Sequence, residues 1–276
     1  MTSFTHDSRA LAETYDHVSD LQFESGKGLV ERLGIGEGAR VLDVGCGTGR
    51  LAHWIAERVG PQGAVTAIDP LEVRIDIARS HGGTVRFEVG RAEDLGAFDD
   101  ASFDAVCMSS VLHWIEDKPS ALGEVRRVLR PGGRLGVTTV PRELSRAGTM
   151  GQVLERVVSR APDAGRIDRS KFTSAGRGCT TTELVALLLD SGLDIDELQI
   201  AQRTRTYASG EAVVDFMDAS AFGTFLRPVP EELRGGLRAD LIAAFEARRE
   251  PEGVPVRGWG VRIVATATPL RRGSLR

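Results

Sequence analysis

Short aliphatic runs alternate with amphipathic stretches along the first half of the chain. Val41, Leu42 and Val44 make the first run, and Leu51, Ile55 and Val59 then recur at helical spacing. Consecutive apolar positions suit a strand buried on both faces, and the spacing that follows suits a helix laid against a sheet. The alternation repeats. Gly63 to Asp69 predicts a second strand, Val85, Phe87 and Val89 a third, and Ser102 to Ser110 a fourth. A helix with Leu122, Val125, Val128 and Leu129 on one face comes next. Pro131, Gly132 and Gly133 stop that helix and turn the chain into a fifth strand.

Flanking segments follow looser patterns. Residues 10 to 34 read as helical, interrupted at Leu21, Gly28 and Leu29. Pro141 to Gly178 reads as an insertion with one short helix near Met150 to Val158. Cys179 to Leu193 predicts a helix ending at Gly192, and Asp196 to Ser209 an alternating strand. Phe216, Met217, Phe222 and Phe225 fall close together before a charged helix from about Glu231 to Glu250, and Gly260 to Pro269 predicts the last strand. The aromatic and Met group reads either as the small core of an inserted cap or as an apolar lining for a ligand.

The candidate chemistry is concentrated where the first strand ends. Asp43 precedes Gly45, Gly47 and Gly49, and the amphipathic helix starts directly afterwards. Missing Cβ atoms at alternate positions let the backbone turn sharply and let a ligand approach the N–H groups at the helix start. A dinucleotide fingerprint, GxGxxG, also joins a strand to a helix. Here the chain reads GCGTGR, so the third glycine comes one residue early and Arg50 stands where close helix packing needs a small side chain.

The pattern DxGxGxG, together with the later PGG unit, resembles class I S-adenosylmethionine-dependent methyltransferases, in particular the small-molecule, type 11-like members. The resemblance covers roughly residues 10 to 140. It implies an α/β, Rossmann-like, doubly wound fold with a seven-stranded, mainly parallel sheet, an antiparallel last strand and a helical cap insertion. It implies S-adenosylmethionine as cofactor, S-adenosylhomocysteine as product and a small-molecule acceptor. The corresponding division is a helical lid at 1–34, a cofactor-binding core at 35–140, and the remaining strands with substrate-cap insertions at 141–276, all one domain. The inserted helices are expected to hang over the cofactor edge of the sheet.

Asp43, Gly45, Cys46, Gly47 and Gly49 form the cofactor turn in this reading. Asp69, about twenty residues past the turn, stands at the spacing that lets an acid reach a ribose diol, and Pro70 and Leu71 offer an apolar surface to adenine. Asp69 with Pro70 is equally a good helix start. Many family members carry an acid after the third strand to accept from the adenine amino group, and this chain has Arg91, which offers donors only. That contact then falls to Glu93, Asp94, a backbone carbonyl around Ala92, or water. Tyr15 and Gln22 match the segment that folds over the sulfonium in the family, and Ser109 completes the cofactor set. His113 and Trp114, just past the fourth strand, are the catalytic candidates with Tyr15. A histidine with its reference pKa near 6.5 can take a proton at neutral pH, and a tryptophan can wall a methyl site. The alternatives are a satisfied neighbour and a core residue.

A net charge of −4 and a pI near 5.8 give no whole-chain reason to bind nucleic acid or an anionic membrane. With 41% hydrophobic residues the chain can fill a substantial core. Cys46, Cys107 and Cys179 are too scattered for a disulfide framework, and no His/Cys cluster suggests a metal. The N-terminal segment lacks the features of a signal peptide, so a cytoplasmic monomer or homodimer is expected. Oxygen or sulfur of a secondary metabolite ranks ahead of carbon or nitrogen as the methylated atom. Two rival readings are an NAD-dependent oxidoreductase and a protein that binds the cofactor without chemistry.

Overall fold

β1 (Arg40–Val44) is buried at every position after Arg40, which fixes it inside the sheet. The computed structural model describes residues 8–18, 20–161, 164–168 and 178–268. Around β1 stand β2 (Ala64–Asp69), β3 (Arg86–Val89), β4 (Phe103–Ser109), β5 (Leu129–Thr139), β6 (Leu193–Tyr207) and β7 (Val254–Ala267). Their order in the sheet is β3-β2-β1-β4-β5-β7-β6. The first five strands pair in parallel, and β7 runs antiparallel to β5. This is the seven-stranded, mainly parallel Rossmann-like sheet that the family resemblance implies. Because the order reverses between β1 and β4, the carboxyl ends of those strands border the crevice where open α/β sheets bind ligands.

The described residues divide into two units. One comprises Gln22–Thr139, Thr181–Gln199 and Val261–Arg276, and the other Met1–Leu21, Val140–Thr180 and Ile200–Gly260. In the first, α2 (Asp20–Leu33), α3 (Arg50–Val59), α4 (Glu72–Ser80), α5 (Lys118–Val128) and α8 (Thr181–Asp190) accompany the sheet. Leu29, Leu33, Ile55, Ile75 and Val264 are among the buried side chains of its core. In the second, α1 (Arg9–Val18), α6 (Arg142–Ser145), α7 (Thr149–Arg160), α9 (Gly210–Ser220) and α10 (Glu231–Glu246) accompany the far ends of β6 and β7. Its core gathers Val153, Phe216, Met217, Phe225, Leu241 and Phe245. Three of the four residues in the aromatic and Met group are therefore core, and Phe222 alone is half-exposed, with φ 54°.

Several boundaries differ from the sequence expectation, among them the start of β6 at Leu193 and the end of α10 at Glu246. The helical stretch at residues 10 to 34 is two helices, α1 and α2. The PGG unit lies inside β5 as a bulge: Phe103 pairs with Leu129, yet Ala105 already pairs with Arg134. β7 starts at Val254, six residues ahead of the expected Gly260, because Pro255, Gly258 and Gly260 interrupt the apolar alternation that would have announced it.

Candidate active site

The turn after β1 is built from backbone. Gly45, Gly47 and Gly49 have φ of 72°, 56° and 87°, a region L side chains avoid. Two of the three also lack room. A Cβ on Gly45 would run into the Val111 side chain, and one on Gly49 would stand 2.8 Å from Phe87 Cζ. The N–H groups of Gly45 and Cys46 both donate to Ile68 O, at 2.7 and 3.0 Å. Gly47 N–H donates to Asp69 Oδ2 at 3.0 Å, and Leu71 N–H donates to Asp69 Oδ1 at 3.0 Å. The carboxylate at the end of β2 thus binds the glycine turn to the start of the next segment. The helix-start reading of Asp69 and Pro70 needs correction, since α4 begins only at Glu72 and its N-cap is Leu71.

Asp43 is almost fully buried, at 1% exposure, and its Oδ2 has no hydrogen-bond partner among the described residues. Burial first, and then the charge of Asp69, pushes its carboxyl up to about 7. Gln22 presents a second buried acceptor without a partner, Oε1. Burial and the same two carboxylates also push the Cys46 thiol up, so it is no thiolate nucleophile. S-adenosylmethionine carries a cationic sulfonium, an amino group and a ribose diol, and this chemistry fits the acceptor set. Asp43 and Gln22 hold buried acceptors for donors or positive charge. A carboxylate has about four lone-pair positions, more than the two backbone bonds of Asp69 use. The side chain of Tyr15 lies outside the described residues.

The segment after β3 explains Arg91. Its Nη2 lies 3.2 Å from Glu93 Oε1, so the two side chains pair with each other. Ala92 between them is buried, and Asp94 N–H donates to Arg91 O at 3.1 Å. The Glu93 carboxylate is therefore already engaged by its neighbour.

At the end of β4 the fixed points are two threonines of β5, which the sequence reading did not single out. Thr138 Oγ1 lies 3.2 Å from Ser109 Oγ and accepts from Ser110 N–H at 3.1 Å. Ser110 sits at φ 61°, a conformation rarely adopted outside glycine. A single 3-10 turn, Leu112–Trp114, follows. His113 Nδ1 lies 3.2 Å from Thr139 Oγ1, and its ring centroid is 5.2 Å from that of Trp114. Burial, and then the ammonium of Lys118, push His113 down to about 4. Lys118 is itself held by Ile115 O at 2.6 Å. The imidazole is consequently neutral at physiological pH and a weaker base than its reference value suggests. Two adjacent hydroxyls ending a strand beside the fourth strand were the available sequence signal for Thr138 and Thr139. No group of three or more His, Cys, Asp or Glu side chains among the described residues could hold a metal ion.

A methyltransferase-domain family model matches residues 42–137, the stretch from β1 to the end of β5. Methyltransferase GfsG of Streptomyces halstedii is 35% identical over 202 residues, covering 69% of this chain and 65% of its own length. The malonyl-[acyl-carrier protein] O-methyltransferase of Erwinia pyrifoliae is 37% identical, with 47% of this chain and 48% of its own covered. The ubiquinone/menaquinone biosynthesis C-methyltransferase UbiE of Hahella chejuensis is 36% identical, with 46% and 55% covered. The matches thus span less than two thirds of each relative. Among solved structures, the [4+2]-cyclase SpnF superposes with TM-score 0.55 at 23% identity, covering 89% of this chain and 80% of that one. A shared fold therefore leaves the reaction open. The sequence match, the strand order and the acid-flanked glycine turn agree: residues 42–137 form a methyltransferase domain of the class I S-adenosylmethionine-dependent kind.

Proposed function

We propose that the protein transfers the methyl group of S-adenosylmethionine to oxygen or sulfur of a small-molecule acceptor, ahead of carbon or nitrogen. The observation that carries the reading is the pair of carboxylates at the glycine turn. Asp69 is oriented by Gly47 and Leu71 N–H groups, and Asp43 keeps one buried oxygen unpartnered. When bound, the cofactor supplies an electrophilic methyl group on a sulfonium. Asp69 then accepts from the ribose hydroxyls, Asp43 and Gln22 meet the positive end, Pro70 and Leu71 meet adenine, and Ala92 and Glu93 meet its amino group. Cys46 lends its backbone, and Ser109 stands beside them through its bond to Thr138.

His113 holds the acceptor in line through a neutral ring that Thr139 fixes, with Trp114 as a wall. Orientation of this kind can lower a barrier by roughly 7–11 kcal/mol without any proton transfer. Residues 141–276 carry the acceptor selectivity. The relatives named for O- and C-methylation support methyl transfer and leave the atom to experiment.

Incubation with methyl-labelled S-adenosylmethionine and a metabolite extract is the direct test. A labelled product, located by mass spectrometry and carbon NMR, is the expected result. Tight cofactor binding with no label transferred to any acceptor favours a non-methylating role on the same fold.

A further inference from the structure

In the unit that contains α9 and α10, the connector between those helices encloses a cavity of about 360 Å³. Val214, Phe225 and Leu226 supply its apolar lining, and Arg227, Arg234 and Arg238 its cations. The three guanidinium groups are not equivalent. Arg238 is neutralised by Asp215, at 2.6 Å, with Glu211 at 3.7 Å. Arg234 donates Nε to Val229 O at 3.0 Å, and no carboxylate is hydrogen-bonded to its guanidinium among the described residues. The nearby carboxylate of Glu232 acts on it only through space, being itself bonded to Arg166 at 2.7 Å. The Arg227 side chain makes no hydrogen bond or ion pair with any described residue.

One carboxyl, Asp218, shares the lining. It accepts a hydrogen bond from the Phe225 backbone and its charge is set against Arg238, while burial raises its pKa. The connector is also ordered by its own hydrogen bonds. Thr224 N–H donates to Ala221 O, Arg227 N–H to Thr224 O, and Val229 N–H to Leu226 O, each at 3.0 Å. Phe222 at φ 54° and Gly223 at φ 68° turn the chain out of α9 to begin this winding. Strained non-glycine backbone of this kind persists where its surroundings over-determine it, often beside ligands.

We propose that this cavity binds a small organic oxyanion, its carboxylate or phosphate group held between Arg227 and Arg234 and its apolar body against Val214, Phe225 and Leu226. Guanidinium forks match such groups through paired N–H donors, and the volume suits a ligand of one ring or a short acyl chain. The inference does not rest on methyl transfer.

Ligand-observed NMR titration of the full chain tests it with benzoate, phenyl phosphate, inorganic phosphate and the neutral benzyl alcohol. Benzoate or phenyl phosphate is expected to bind, inorganic phosphate more weakly for want of an apolar body, and benzyl alcohol not measurably. Whichever of the first two binds more tightly identifies the headgroup. Arg227→Gln and Arg234→Gln should each weaken that binding at least tenfold, while Arg248→Gln, which removes an exposed charge outside the cavity, leaves it unchanged. Should Arg234→Gln disturb folding by losing the bond to Val229, Arg227→Gln decides alone. Equal binding of benzyl alcohol and benzoate overturns the proposal. So does wild-type affinity in Arg227→Gln, or an equal loss in Arg248→Gln. S-adenosylmethionine affinity, titrated in the same samples, is expected to stay constant, which separates a failure here from a failure of the cofactor reading.

Discussion

A carboxyl sealed from solvent with one oxygen unbonded, as at Asp43, is costly when ionised and becomes useful once a cation arrives. Its folded pKa of about 7 lies above the unfolded value of 3.8, so between those pH values the native state binds the extra proton. Its contribution to stability is therefore fully present below pH 3.8 and lost as pH rises through 7. A cationic cofactor should expel that proton. Calorimetric titration with S-adenosylmethionine at pH 6.5 in two buffers of different ionisation enthalpy is expected to give different heats, and Asp43→Asn to remove the difference; identical heats for the wild type would refute the assignment. His113 works in the opposite direction. Its folded value of about 4 lies below 6.5, so its contribution is present above pH 6.5 and lost as pH falls toward 4. Thermal unfolding across that range should show less acid sensitivity in His113→Gln. The same depression changes the kinetic expectation. From its reference pKa alone, His113 would be a base whose loss matters less as pH rises. A ring already neutral above about pH 4 predicts a uniform loss of turnover in His113→Gln from pH 6 to 9, and convergence on wild type at high pH would restore the role of base. On the proposed reading Asp69 holds both the ribose and the glycine turn, so Asp69→Ala should cost about 1.5–3 kcal/mol of cofactor affinity and some thermal stability, whereas Asp69→Asn, which keeps one acceptor oxygen, should lose less of both.

Among the elements, the turn between β1 and α3 carries the tightest constraints. Gly49 is restricted twice, by φ 87° and by Phe87 at 2.8 Å from where a Cβ would stand. Gly49→Ala should therefore destabilise the protein by more than the roughly 1–3 kcal/mol of backbone strain. Made in a Phe87→Leu background it should cost less, while still costing the backbone share; additive effects in chemical denaturation would mean that the contact with Phe87 is unimportant. The glycine requirement was legible because three glycines in alternation after an acid have few structural explanations. β1, β2 and β4 were legible for a similar reason, since each is a nearly continuous apolar run with a helix behind it, and β3 through the alternation of Phe87 and Val89 with charged neighbours. β7 was half hidden by Pro255, Gly258 and Gly260, and the PGG bulge read as a turn before the strand because proline and glycine punctuate both. What stayed illegible was relational. Nothing local in the sequence says that Arg91 is taken up by Glu93, or that Thr138 and Thr139 anchor Ser110 and His113. The threonine bonds depend on segments brought together from 26 to 28 residues apart, and the Arg91–Glu93 pair on how the chain winds after β3.

At the scale of the whole chain, 39 acidic residues against 35 basic ones hide a local reversal at the α9–α10 connector, where two guanidiniums lack bonded carboxylates among the described residues. Each unit has its own buried core, so ligands should leave separate signatures. Hydrogen exchange with S-adenosylhomocysteine is expected to slow at residues 43–49 and 69–71, and with benzoate at residues 222–238. Protection of the same peptides by both ligands would mean that they share one site. The strand order has another consequence, for synthesis. β7 stands between β5 and β6 although it follows both in the chain. A nascent chain that has already made β6 must keep that strand without its sheet neighbour until the segment ending at Ala267 emerges from the ribosome. Translation at about 5–20 residues per second makes this a wait of seconds. During it the edge of β5 is also uncovered, and premature termination before Val254 would leave both edges exposed, a polypeptide for chaperones and proteases to clear rather than a shortened enzyme.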